Sequence, residues 1–297
     1  MVVVFSDWLT GRPTTITTTA KASVGILNWE DKWSLSRPGA IEQVNASVNA
    51  MFETFGALFA RHSDIKPQHL GGAVTEPVKR VDAEFAKKSG HRSDITSDTS
   101  GALQNKLRSG EKADVIIISA PAMDALEKEK RIIAGTRVDL ARGLIGVGIR
   151  AGTKAPDLSS PEAFKKAMLA AKSVSYVDPK AGGTSGTYMA GLFQKMGIAQ
   201  EMQKKTVFRN QGSEVADAVA KGEAELGITF TSEMITNKSV KLAGTLPDAI
   251  QLPTIYSGAV PVGAPNPDAA RAFLQAMKAP AGVAAIKEAG LESISSK

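Results

Sequence analysis

From about residue 65 the chain alternates short apolar strands with amphipathic helices, and this alternation restricts the fold more than any other feature. Ala113–Ser119 (ADVIIIS) is a continuous β-branched run behind a Ser109-Gly110 turn, the mark of a buried strand. Gly143–Arg150 (GLIGVGIR) is a second such run. Ser173–Val177, Glu225–Phe230, Val240–Ala243 and Ala259–Gly263 are weaker strand signals. Helical patterns over Pro77–Lys88, Pro161–Ala171, Gly186–Met196, Ser213–Ala220, Pro267–Met277 and Pro280–Ala289 separate them. Such alternation predicts an α/β fold with mostly parallel sheets and flanking helices.

The junctions after the strands are small, hydroxyl-rich and nearly uncharged. They read Gly71-Gly72-Ala73-Val74-Thr75, Asp98-Thr99-Ser100-Gly101, Ser119-Ala120-Pro121, Ala181 to Thr187 (AGGTSGT) and Asn210-Gln211-Gly212-Ser213. Ligands of open α/β sheets bind outside the carboxyl ends of the strands. Free N–H groups at helix starts favour an anion there, glycine lets the backbone approach, and Ser or Thr adds donors. Ser, Thr, Asp and Gly are also ordinary caps, so one such junction says little. The Ala181–Thr187 loop, with Gly182, Gly183, Thr184, Ser185, Gly186 and Thr187, exceeds what capping needs. It is neither a nucleotide loop, since Thr187 stands where a Lys is required, nor a nucleophile elbow, since no Gly follows Ser185 at two residues.

Composition excludes other chemistries. There is no cysteine, and the three histidines (His62, His69, His91) all lie in the first third. Thiol chemistry and disulfides are therefore unavailable, most metal and triad readings are weakened, and no metal or cofactor is expected. The net charge of +6 is scattered without aromatic interleaving, so no nucleic-acid partner is expected. No run of 18 apolar residues suits a membrane span.

Residues 1–64 differ from the rest. They hold Trp8, Trp29 and Trp33, a Thr-rich run at 14–19, and five basic against six acidic residues; the remainder carries 31 basic against 24 acidic. Val44–Ala60 is their one helical candidate, and no recognisable signal peptide is present. The segment is read as an appended, poorly ordered extension.

The motifs Gly71 to Pro77 (GGAVTEP), Asp98 to Leu103 (DTSGAL), Gly110 to Val115 (GEKADV), Asp178-Pro179 with its Gly-rich loop, and Gly222 to Ile228 (GEAELGI) together resemble the type II periplasmic solute-binding proteins of the molybdate-binding kind. The resemblance implies two lobes, 65–140 plus 240–297 and 141–239, joined by a two-strand hinge that closes on a ligand. It implies a monomer that captures a small anion, either a molybdate or tungstate type of oxyanion or an organic carboxylate. Delivery would be to a membrane ABC permease from a periplasmic location. Carried over by position, ligand contacts fall on Thr99, Ser100, Ser185 with its neighbours Thr184 and Gly186, and the Val215 N–H beside Ser213. Gly72, Ala73, Ser119 and Phe230 complete the expected lining. Two positions depart from the family: Ala73 stands for a usual Ser and Phe230 for a usual Tyr. The expected first strand, Ile65–Leu70, contains Pro67, and Ser93 and Ser97 weaken the next.

A binding role without catalysis is the leading expectation. The alternative is an isomerase of the aconitate isomerase type, similar to the same branch, for which Glu76, Asp98, Glu233 and Tyr188 are the candidate acid or base groups. A cytosolic sensor lobe is a third possibility.

Overall fold

The structure, a computed structural model, describes residues 2–6, 13–17, 68–89 and 94–294. The chain divides into two compact units, 1–53 and 54–297. In the first, strand β1 (Val2–Ser6) pairs antiparallel with β2 (Pro13–Thr17). The helix expected over 44–60 and the turn expected at His91 lie outside the described residues.

The second unit is α/β and is built on two sheets. The six-stranded sheet has β3 (Gln68–Gly71), β4 (Ile95–Asp98), β5 (Val115–Ser119), β6 (Val138–Gly143), β12 (Thr254–Ala259) and β13 (Glu292–Ser293), in the order β13-β6-β12-β5-β3-β4. The five-stranded sheet has β7 (Ile145–Arg150), β8 (Val174–Val177), β9 (Thr206–Arg209), β10 (Leu226–Phe230) and β11 (Val240–Thr245), in the order β11-β7-β10-β8-β9. Both sheets are mixed rather than mostly parallel. β3, β4 and β5 run parallel, as do β10, β8 and β9, while β12 is antiparallel to β5 and β6, and β7 to β10 and β11. The reason is topological: the strands that carry the chain from one sheet to the other enter against the direction of the βαβ units.

Burial on both faces explains the apolar strands. In β5, Ile116 and Ile118 pack with Leu103, Leu107, Met123 and Leu126, while Val115 and Ile117 face Leu70, Val78 and Phe273. In β7, Ile145, Val147 and Ile149 face the core, and a Cβ at Gly146 or Gly148 would collide with Leu242 or with Met234. The expected weak first strand is present inside the sheet, its described residues Gln68–Gly71 pairing with β4 on one side and β5 on the other; Pro67 lies outside the described residues. The polar β4 is an edge strand, and Ser97 Oγ bonds Thr75 Oγ1 at 2.7 Å, which is why serine is tolerated there.

The chain crosses between sheets at Leu144 and again over 246–253, since β11 still belongs to the five-stranded sheet. Gln251 ties the two crossings together. Its Oε1 accepts from the Ile145 and Leu252 amides, each at 3.0 Å. Its Nε2 donates to the Ile145 and Leu246 carbonyls at 2.9 and 3.3 Å. Among the described residues no helix is long and apolar enough to cross a membrane.

Candidate functional site

Strand ends of the two sheets face one another across a cavity of about 30 Å³ lined by Gly72, Ala73, Asp98, Thr99, Ser100, Val177, Gly183, Thr184, Ser185, Gln211, Gly212, Phe230, Glu233 and Tyr256. Of the helices α1 (Thr75–Ser89), α2 (Ser100–Arg108), α3 (Ala120–Lys128), α4 (Pro161–Ala170), α5 (Thr184–Lys195), α6 (Ala199–Lys205) and α7 (Gly212–Ala220), the starts of α2 after β4, α5 after β8 and α7 after β9 supply part of this lining, and that of α3 after β5 supplies none. A void of that size holds about two waters.

The lobes meet directly. Thr99 Oγ1 donates to the Ala181 carbonyl at 2.5 Å, and the Gly101 amide donates to the Gly182 carbonyl at 3.1 Å. Thr184 Oγ1 donates to Ser119 Oγ at 3.2 Å. Thr99 also caps α2, its Oγ1 accepting from the Ala102 amide at 3.2 Å. Ser100 Oγ accepts from the Ser119 amide at 3.1 Å, joining two junctions of one lobe.

Seven of the expected residues line the cavity: Gly72, Ala73, Thr99, Ser100, Thr184, Ser185 and Phe230. Four do not. Ser119 lies behind it, buried, holding Thr184 and Ser100. Gly186 packs against the Val177 carbonyl, where a Cβ would clash, so it sets the approach of α5 to β8. Ser213 is exposed, and Val215 is a core residue whose amide donates to the Gln211 carbonyl at 3.3 Å. The start of α7 instead presents Gln211 and Gly212.

Of the candidate acids, Glu76 is on the surface against Lys79, and Tyr188 donates to the Ile250 carbonyl at 2.8 Å across the hinge. Asp98 lines the cavity, accepts from the Thr99 amide at 2.8 Å and lies 3.7 Å from Lys106 Nζ. Glu233 also lines it and is buried. Its Oε2 accepts from Thr229 Oγ1 at 2.5 Å, and Thr229 in turn lies 3.4 Å from Ser185 Oγ. A Cβ at Gly72 or Gly212 would run into the Glu233 carboxyl oxygens, so two glycines make its room. Burial pushes this carboxyl up to about 7 against the pull of Thr229 and the Phe230 backbone.

Tyr256 and Val177 are lining residues that sequence reasoning missed, and Tyr256 is the one with a polar group. It comes from β12, and its ring meets Phe230 edge-on at 5.6 Å. Burial, and then the charge of Glu233, push its hydroxyl well above the usual tyrosine range. Tyr256 thus brings a phenol to the cavity beside the position where Phe230 lacks one. No lysine or arginine lines the cavity. Among the described residues, no group of three His, Cys, Asp or Glu could hold a metal ion.

Residues 70–292 match the family of bacterial extracellular solute-binding proteins. The chain is 32% identical over 229 residues to an aconitate isomerase of a Pseudomonas species, covering 75% of this chain and 86% of that protein. It is 25% identical over 224 residues to the molybdate-binding protein of Azotobacter vinelandii, covering 73% and 85%. The solved periplasmic molybdate-binding protein of Azotobacter vinelandii superposes with a TM-score of 0.64 at 21% identity, covering 78% of this chain and 99% of that one. A match over three quarters of the sequence, on a two-sheet fold that closes over a cleft, decides the assignment: this chain belongs to the bacterial extracellular solute-binding protein family.

Proposed function

We propose that the cleft captures a small anion between the lobes for delivery to a membrane ABC permease, in the periplasm. The observation that carries this reading is the lining itself. Junctions of both lobes converge on one cavity with amides and hydroxyls, no cationic side chain, and direct hydrogen bonds across the mouth. Pre-aimed neutral donors hold an anion without burying a counter-charge. Ala73 and Phe230 each lack a hydroxyl, and Glu233 adds a carboxyl, so an organic polycarboxylate suits the cavity better than a molybdate-type oxyanion. Isothermal calorimetry with molybdate, tungstate, sulfate, phosphate and small polycarboxylates tests the reading. Binding of a carboxylate is the expected result; no heat with any of them sinks it.

Glu233 favours a second reading, an isomerase of the aconitate isomerase type. A buried carboxyl poised at about 7 is matched to proton transfer near neutral pH. The relative at 32% identity carries that name. Interconversion of cis- and trans-aconitate that is lost in Glu233→Gln supports it. Tight binding without turnover leaves capture alone.

A further inference from the structure

We propose that anion capture in this cleft is coupled to one proton, carried on the Glu233 carboxyl, which makes Glu233 the residue that sets which anions are accepted and at what pH. The inference rests on the capture reading and deepens it.

The geometry leads there in three steps. First, Glu233 is lodged in the binding cavity against the Gly72 and Gly212 backbones, where a Cβ on either glycine would collide with its carboxyl oxygens. Second, nothing cationic faces it. From β10 it meets Thr229, from α5 Ser185 through Thr229, from α7 Gln211 and Gly212, and from the Gly71–Thr75 junction Gly72. The other titratable groups lining the cavity are Tyr256 from β12 and Asp98 from β4, whose nearest cation, Lys106, lies on α2 at 3.7 Å. Third, an ionised Glu233 and a bound anion would be like charges in a site with few waters, a strongly repulsive pair. A protonated Glu233 is instead an O–H donor to a ligand oxygen. The entering anion therefore draws a proton onto the carboxyl, and the Thr229 hydroxyl is free to turn from donor to acceptor as it does so.

Burial already holds this carboxyl near 7, so the proton is taken up from solvent in the neutral range when the site fills. Above about pH 7 carboxylate ligands are themselves ionised, and linkage then comes from the protein. The affinity should fall by up to about tenfold per pH unit above that point.

The test is calorimetry of the full chain at pH 8 with cis-aconitate, trans-aconitate and molybdate, each in two buffers of different ionisation enthalpy. The buffer dependence counts protons without any variant. About one proton taken up per anion is the expected result, together with the sloping affinity between pH 7 and 9. In Glu233→Gln, which keeps a donor but cannot titrate, both should vanish. Binding with no proton uptake and a flat pH profile overturns the proposal and leaves capture standing. A proton count lost in Asp98→Asn but kept in Glu233→Gln overturns the assignment to Glu233. No binding by any probe at pH 6 or pH 8 overturns capture and coupling together.

Discussion

Gly101 opens the helix after β4, and a Cβ there would stand 2.9 Å from the Gly182 carbonyl oxygen of the other lobe. That oxygen accepts the Gly101 amide, so closure brings backbone against backbone. Gly182 has a φ of +74°, which a larger residue rarely adopts, so both sides of this contact are held to glycine. Gly101→Val should therefore hold the lobes apart. The expected outcome is a loss of anion affinity of about tenfold or more, equivalent to at least 1.4 kcal/mol. Unfolding temperature should change little, and small-angle scattering should show a larger radius of gyration. Unchanged affinity would mean that closure does not use this contact. The surplus of Gly, Ser and Thr over 181–187 made Thr184 and Ser185 legible, while Thr99 and Ser100 were legible through the family resemblance carried over by position. Tyr256 was not, because a tyrosine within T-I-Y-S-G-A carries no local mark of the cavity it will line.

At the scale of elements, strands with dense β-branched runs were visible and those with polar or small residues were not. β6 (VDLARG) places Asp139 and Arg142 outward and Leu140 and Ala141 inward, a one-sided pattern with charges that hides a strand. β12 was displaced in the sequence reading toward 259–263. Its true interior contains Gly258, where a Cβ would collide with Leu274 and Leu140. Only the packed neighbours show that a strand needs a glycine there. The crossings between sheets were invisible for the same reason: their key residue, Gln251, is an ordinary glutamine in sequence. In the fold it satisfies four backbone groups at once. Gln251→Ala should leave the Ile145 amide short of its acceptor, while the Ile145 carbonyl keeps the Leu246 amide at 3.0 Å. The expected cost is about 1–3 kcal/mol, read as a lower urea midpoint with an unchanged slope. Tyr188, which donates to the Ile250 carbonyl in the same crossing, gives a comparison: Tyr188→Phe should cost about 1 kcal/mol. A cost for Gln251→Ala no greater than that of Tyr188→Phe would refute the clip.

For the whole molecule, two buried groups make stability depend on pH in opposite senses. Glu233 has its carboxyl raised by burial from 4.5 to about 7 in the folded chain. Between those values the folded chain holds a proton that the unfolded chain releases. Its contribution is thus fully present below about pH 4.5 and is lost as pH rises through about 7, an interval worth on the order of 3 kcal/mol. His69, on the interior strand β3, is lowered from 6.5 chiefly by burial, with the Glu111 carboxylate, 3.3 Å from its Nε2, pulling the other way. There the unfolded chain takes the proton first, so stability is lost as pH falls through about 6.5. Over the range from about pH 5 to 8 the two oppose each other in the wild-type curve, and difference curves separate them. Wild-type stability minus that of Glu233→Gln should rise on acidification from about pH 8 to 5. Wild-type minus His69→Phe should fall over the same range. Urea unfolding at each pH measures both, and a pH-independent difference for Glu233→Gln would show that its carboxyl titrates normally in the folded chain. A raised acid in the cleft also explains why a lining of neutral donors can coexist with this carboxyl: below about pH 7 Glu233 brings no charge to the cavity and offers the anion a donor.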